Sequence, residues 1–210
     1  MVDRYLTVAR AGVCESEIKR SRFLCALAPV ASEEAAQDFI ARVRKEHAGA
    51  SHNCFAYVIG PEGRLHRASD DGEPGGTAGT PMLQALLGRE VRDTAAVVTR
   101  YYGGVQLGAG GLARAYGGAV TAALDEIGTV ERRRLVLVTV TVDHQRAGRL
   151  ENELRAAGHA IRGVAYAAAV TIDLGVPQAD LPGFRSWLAD ATSGAAEVTV
   201  GGSAYVTVTP

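Results

Sequence analysis

A mixed α/β (α+β) chain in two parts is what this sequence predicts, and three observations carry the prediction. Apolar runs that read as strands alternate with stretches whose apolar residues recur at helical spacing. The second half follows the order β-α-β-β-α-β, that of a ferredoxin-like split βαβ unit. A charged break, Glu131-Arg132-Arg133-Arg134, separates that half from what precedes it. The predicted domains are residues 1–131 and 132–210.

YLTVARAG and SRFLCALAPV open the first domain as strands. Ser32 then caps a helix running to about Ala48, with Glu33 and Glu34 in the first turn and Ala36, Phe39, Ile40, Val43 and His47 along one face. NCFAYVIG and RLHRASD form a hairpin around Pro61-Glu62-Gly63. Thr80 as N-cap and Pro81 as first helical residue start a short helix, PMLQALL, that ends at Gly88. TAAVVTRYY is apolar on both faces, as a central strand must be. A helix from about Gly110 to Ile127 turns Leu112, Tyr116, Val120 and Leu124 inward. The second domain comprises the strand RLVLVTVTVDH, the helix QRAGRLENELRAAG, the strands IRGVAYA and AVTIDLGV, a helix through ADLPGFRSWLADA, and AEVTVGGSAYVTV as a strand pair or one bent strand.

Charge and cysteine usage narrow the function. Net charge is −1, with 14 basic and 16 acidic residues in 1–131 against 8 and 7 in the remainder, so nucleic-acid binding has to use a local patch rather than a global field. Three cysteines, Cys14, Cys25 and Cys54, without C-x-x-C spacing predict reduced thiols in a cytoplasmic protein and no structural metal. No apolar leader follows the charges at Asp3 and Arg4, and no long apolar run predicts a membrane span.

Two glycine-rich runs dominate the motifs: SDDGEPGGTAGTP, Ser69 to Pro81, and YYGGVQLGAGGLARAYGG from Tyr101. Neither is a nucleotide loop of a standard kind. The G-x-G-x-x-A at Gly108 is separated from its strand by several residues, and Ala109 and Gly110 stand where a P-loop has Lys and Ser/Thr. His52 and Cys54 share a strand face and could pair a thiolate with a base, although a buried Cys beside a satisfied His is the plainer reading. His47 is read the same way, and His66, His144 and His159 have no metal spacing. Asp70, Asp71 and Glu73 could bind Mg²⁺ or act as an acid and base, against ordinary Asp-Gly turn chemistry.

Ordered blocks carry a resemblance. Ser69-Asp70-Asp71-Gly72-Glu73-Pro74, Gly76-Thr77-Ala78-Gly79, Pro81-Met82-Leu83, Val97 through Gly104, Leu107-Gly108, Gly110-Gly111-Leu112 and Ala115-Tyr116-Gly117-Gly118, with upstream Arg22-Phe23 and His52-Asn53-Cys54, resemble the bacterial YigZ/IMPACT family. The resemblance implies an N-terminal domain with the βαβ fold of a small-subunit ribosomal protein and of domain IV of elongation factor G. It also implies a ferredoxin-like C-terminal domain similar to domain V of that factor, and no established catalytic residue or cofactor. Both domains point to the ribosome or structured RNA, and eukaryotic relatives to protein partners in translation control.

The function expected is that of a non-catalytic protein that associates with ribosome or RNA and modulates translation. The alternatives are a nucleotide-binding enzyme like the GHMP kinases, which share the fold but carry serines where Gly111 and Leu112 stand, and a protein-binding regulator without RNA contact. Candidate contacts are Arg100, Tyr101, Tyr102 and Arg114, since Arg anchors phosphate and Tyr stacks on bases, with Gly110 and Gly111 offering bare amides at a helix start. That start has no side-chain cap and no acid in its first turns, so either an external anion or the carboxylates of Asp70, Asp71 and Glu73 should complete it. In the second case the acidic loop folds onto the second glycine loop and holds Arg100 or Arg114.

Overall fold

A computed structural model describes residues 2–208. The chain divides between Glu131 and Arg132 into two compact units. The first contains β1 (Arg4–Val8), β2 (Gly12–Ile18), β3 (Ser21–Pro29), α1 (Glu33–Glu46), β4 (His52–Ile59), β5 (Leu65–Ser69), α2 (Gly79–Gly88), β6 (Thr94–Tyr101) and α3 (Ala109–Ile127). Strands β2 to β6 form an antiparallel sheet in the order β2-β3-β6-β4-β5.

Strand alternation decides which residues meet which helix. Phe23, Cys25, Leu27, Cys54, Ala56, Val58, Ala96 and Val98 face α2 and α3, whereas Ala26, Ala28, Tyr57, Ile59, Ala95 and Val97 face α1. Buried from Thr94 to Arg100, β6 is the central strand that its two-faced apolar sequence requires. Parity then assigns the ends of strands: His52 on β4 and Arg100 on β6 lie on the α3 side, and Asn53 and Tyr101 on the α1 side.

Helix α1 begins where its sequence says, with the Ser32 hydroxyl accepting from the Ala35 amide at 3.1 Å. Helix α2 begins earlier than the Thr80-Pro81 pair suggests, at Gly79. Strand β2 is an addition to the sequence reading. It pairs with β3 from Gly12↔Leu27 to Ile18↔Ser21 and leaves most of its side chains in solvent, so it lacks the apolar signal of an inner strand.

The second unit runs through β7 (Thr129–Val142), α4 (His144–Ala156), β8 (Ala160–Tyr166), β9 (Val170–Val176), a 3₁₀ turn at Gln178–Asp180, α5 (Leu181–Thr192) and β10 (Glu197–Val208). Its strand order β10-β7-β9-β8 is that of a ferredoxin-like βαββαβ sheet. Val136, Val138, Val140 and Val142 of β7 and Val170, Ile172, Leu174 and Val176 of β9 are buried in one cluster with Ala147, Leu150 and Leu154 of α4 and Phe184 and Leu188 of α5. The last segment is one continuous strand rather than a pair. The charged stretch Glu131 to Arg134 lies inside β7, which begins at Thr129.

Candidate functional site

One end of the first sheet collects four connections. These are the two-residue β2–β3 turn at Lys19-Arg20, the segment from His47 to Ser51 leading into β4, the first glycine loop after β5, and the second glycine loop after β6.

Within the first glycine loop the three carboxylates go to three different places. Asp70 accepts hydrogen bonds from the amides of Gly76, Ala78 and Gly79, each at 2.9 Å, and so caps α2 from nine residues upstream. Burial alone would raise its carboxyl, but these amides outweigh that and hold it below the ordinary carboxylate range. At Asp71 the carboxylate receives the Asn53 amide at 2.7 Å and Arg44 Nη2 at 2.6 Å, while the backbone carbonyl receives His52 Nδ1–H at 2.9 Å. Residue 71 itself has φ of 45°, held by these bonds at both ends. Glu73, 8% exposed, turns inward and accepts from both Arg100 Nη1 and the Tyr116 hydroxyl at 2.7 Å.

The Glu73 contact joins the two glycine loops through β6 and α3. Burial raises the Tyr116 hydroxyl, with the neighbouring Cys54 and Glu73 adding to it, so it stays a protonated donor to the carboxylate. Cys54 is pushed up to about 12, chiefly by burial, and its thiol donates to the Asp70 carbonyl at 2.9 Å. It is a packed, unreactive group rather than half of a Cys–His pair.

The sequence-predicted contacts separate into distinct environments. Arg100 is only 5% exposed: besides Glu73 it donates to Ser21 Oγ at 3.3 Å, and its guanidinium lies 5.5 Å from the Phe23 ring centre and 5.2 Å from that of Tyr102. The expectation that it anchors phosphate at the surface is therefore corrected, because freeing it would leave Glu73 buried and uncompensated. Tyr101 turns to the other side of the sheet, its hydroxyl 3.0 Å from His47 Nδ1 and its ring under Arg22. Tyr102 is 49% exposed, with its amide donating to Ser51 Oγ at 3.1 Å. Arg114 is exposed on the first turns of α3, with no ion pair among the described residues. Gly110 and Gly111 lie in the first turn of α3, behind Gly108 at φ 71°, with no side-chain cap.

Of the alternative in which the acidic loop folds onto the second glycine loop, the contact with Arg100 is present through Glu73, whereas the cap on α3 is not. The loop reaches Tyr116 within that helix, but its three carboxylates are engaged by α2, by β4 with Arg44, and by Arg100 with Tyr116. Between the two loops lies a groove of about 540 Å³ whose lining includes His52, Glu73, Arg100, Tyr102, Leu107 and Gly108. Its size lies in the range of ligand-holding clefts. His52 Nε2 lies 3.9 Å from the Glu73 carboxylate.

Sequence reading missed Ser21 and the turn before it. Ser21 is fully buried, and its hydroxyl accepts from Arg100 Nη2 and from the Gly103 amide at 3.2 Å. A Cβ on Gly103 would stand 2.0 Å from the Arg20 carbonyl oxygen, so turn and loop interlock there only because residue 103 is glycine. The signal was the spacing of Ile18-Lys19-Arg20-Ser21 ahead of SRFLCALAP, which becomes a hairpin once β2 is recognised.

Comparison with known proteins agrees with this architecture. Residues 19–124 match the family described as Impact N-terminal domain, and residues 140–195 match a Domain of unknown function (DUF1949). The IMPACT family member YvyE of Bacillus subtilis is 43% identical over 206 residues, covering 98% of this chain and 95% of that protein. IMPACT family member YigZ of Escherichia coli is 38% identical over 199 residues, covering 94% and 98%. Protein IMPACT of Bos taurus is 39% identical over 95 residues, 43% of this chain and 29% of that one. A crystal structure described as that of an hypothetical protein is 38% identical, with a TM-score of 0.63 over 94% of this chain and 97% of the other.

Proposed function

The chain belongs to the IMPACT family, and we propose on that footing that it is a non-catalytic RNA- or ribosome-associated protein that modulates translation in the cytoplasm. The observation that carries the reading is Tyr102, half exposed at the groove, with its ring against the guanidinium of buried Arg100. An aromatic ring fixed in orientation by a cation beneath it is a platform for an unpaired base. The acidic loop supports the non-catalytic part, since each of its carboxylates is engaged by the protein's own donors. Among the described residues no helix is long and apolar enough to cross a membrane.

In the second unit, the β8–β9 part of the sheet face turned away from the helices carries small residues and Asp173. There the paired positions of β8 and β9 are Ala160 with Gly175, Gly163 with Asp173 and Ala165 with Thr171. The RNA contact proposed is in the first unit, at Tyr102 and the groove beside it. Sedimentation of the full chain with ribosomes across a salt series tests the reading. Co-sedimentation that weakens with salt and is reduced by Tyr102→Ala is the expected result; a chain that stays in the supernatant at every salt concentration contradicts it, and stabilisation by ATP in its place favours a nucleotide-binding enzyme.

A further inference from the structure

The turn between β2 and β3 carries a cost with no visible structural return. Ile18 pairs with Ser21, so only two residues make the turn, and both have positive φ: Lys19 at 48° and Arg20 at 64°. Two-residue turns of this hand favour Asn-Gly or Asp-Gly, because a side chain is strained in the left-handed region. Here the positions hold the two longest cationic side chains, both exposed, and neither has a carboxylate or other acceptor among the described residues. Arg22, one step into β3, is in contrast engaged by Glu15 at 2.6 Å.

The turn is also fixed in place. Ser21 Oγ receives both the Gly103 amide and Arg100, and the Gly103 backbone lies against the Arg20 carbonyl. Since Arg22 pairs with Tyr101 across the sheet, Ser21 stands level with Tyr102, and the turn projects just beyond, on the order of 5–10 Å away by strand spacing. Strain that the surroundings hold in place, at exposed cations beside an exposed aromatic platform, is the arrangement expected of a ligand clamp.

We infer that the Lys19-Arg20 turn contacts phosphates of a single-stranded RNA segment whose unpaired base stacks on Tyr102. The inference rests on the RNA reading above and adds to it the residues that hold the backbone and the strandedness of the partner. A duplex keeps its bases stacked inside and cannot present one to Tyr102, whereas a single strand offers base and phosphate together.

Fluorescence anisotropy on the full chain tests this, with a labelled oligouridylate of about twelve nucleotides, a site size typical of such surfaces, and an RNA duplex of the same length. Replacing both cations, Lys19→Gln with Arg20→Gln, should make the slope of log affinity against log salt shallower by about 1.4, or about 0.7 for each single-strand phosphate. Tyr102→Ala should weaken binding by about tenfold with the slope unchanged. The pair Lys19→Asn with Arg20→Gly separates function from folding: it should raise the urea midpoint by relieving the strain and still lose RNA affinity as the glutamine pair does. An unchanged slope in the glutamine pair, or an Asn-Gly turn that stabilises without weakening binding, overturns the turn's role while leaving the RNA reading intact. Equal affinity for the duplex overturns the single-strand assignment. Failure of the unaltered chain to bind either RNA overturns the RNA reading and the inference with it.

Discussion

Asp70, Asp71 and Glu73 occupy four consecutive positions with Gly72, yet they go to three separate places, and each has its own partners to explain why a carboxylate is needed. For Asp70 the need is electrostatic: three amides converge on it, and they prefer the charged form. Its carboxyl titrates lower in the folded chain than in the unfolded one, so its contribution is fully present above about pH 4, the ordinary aspartate value, and fades as pH falls through the lower folded value. Asp70→Ala should therefore cost about 1–2 kcal/mol at neutral pH, the range of a lost helix cap. It should also flatten the fall in the urea midpoint below about pH 4; an acid limb identical to that of the unaltered chain would show that Asp70 is not the titrating cap. Glu73 serves differently, as the buried counter-charge that keeps Arg100 under Tyr102.

At the scale of elements, the register of the Lys19-Arg20 turn against the second glycine loop depends on residue 103 having no side chain. Gly103→Ala should destabilise the first unit by about 1–3 kcal/mol, as forced overpacking does, and should weaken RNA binding along with stability; unaltered urea unfolding would mean that the turn yields freely. Local signals made several elements legible in the sequence. Helix α1 announced itself through Ser32, Glu33 and Glu34, β6 through an unbroken apolar run, and the buried face of α3 through Leu112, Tyr116, Val120 and Leu124. Other features were hidden because their cause lies elsewhere in the chain. Helix α2 is capped from Asp70 rather than by its neighbour Thr80, and β2 is an edge strand whose exposed residues show no apolar face. That the acidic loop holds Arg100 was one of the arrangements its charges allowed, but its local sequence did not show that Glu73 is the partner or that Tyr116 shares it.

For the whole molecule, the two units divide the work: the first contains the groove, the exposed Tyr102 and the cationic turn, while the β8–β9 part of the second unit's open sheet face is lined by small residues and Asp173. Family membership and the ferredoxin-like second unit were readable from ordered motifs and element order; the site was only half readable, since residues that belong to it are scattered over the β2–β3 turn, β3, β4, β6 and both loops and meet only at one end of the sheet. The central claim is that this end of the first unit binds RNA. Amide hydrogen exchange on the full chain, with and without the single-stranded oligonucleotide or ribosomes, tests it most directly. Slowed exchange confined to residues 18–22 and 101–108, with the second unit unaffected, is what the account predicts; protection that falls on the second unit alone, with those two segments unchanged, would contradict it.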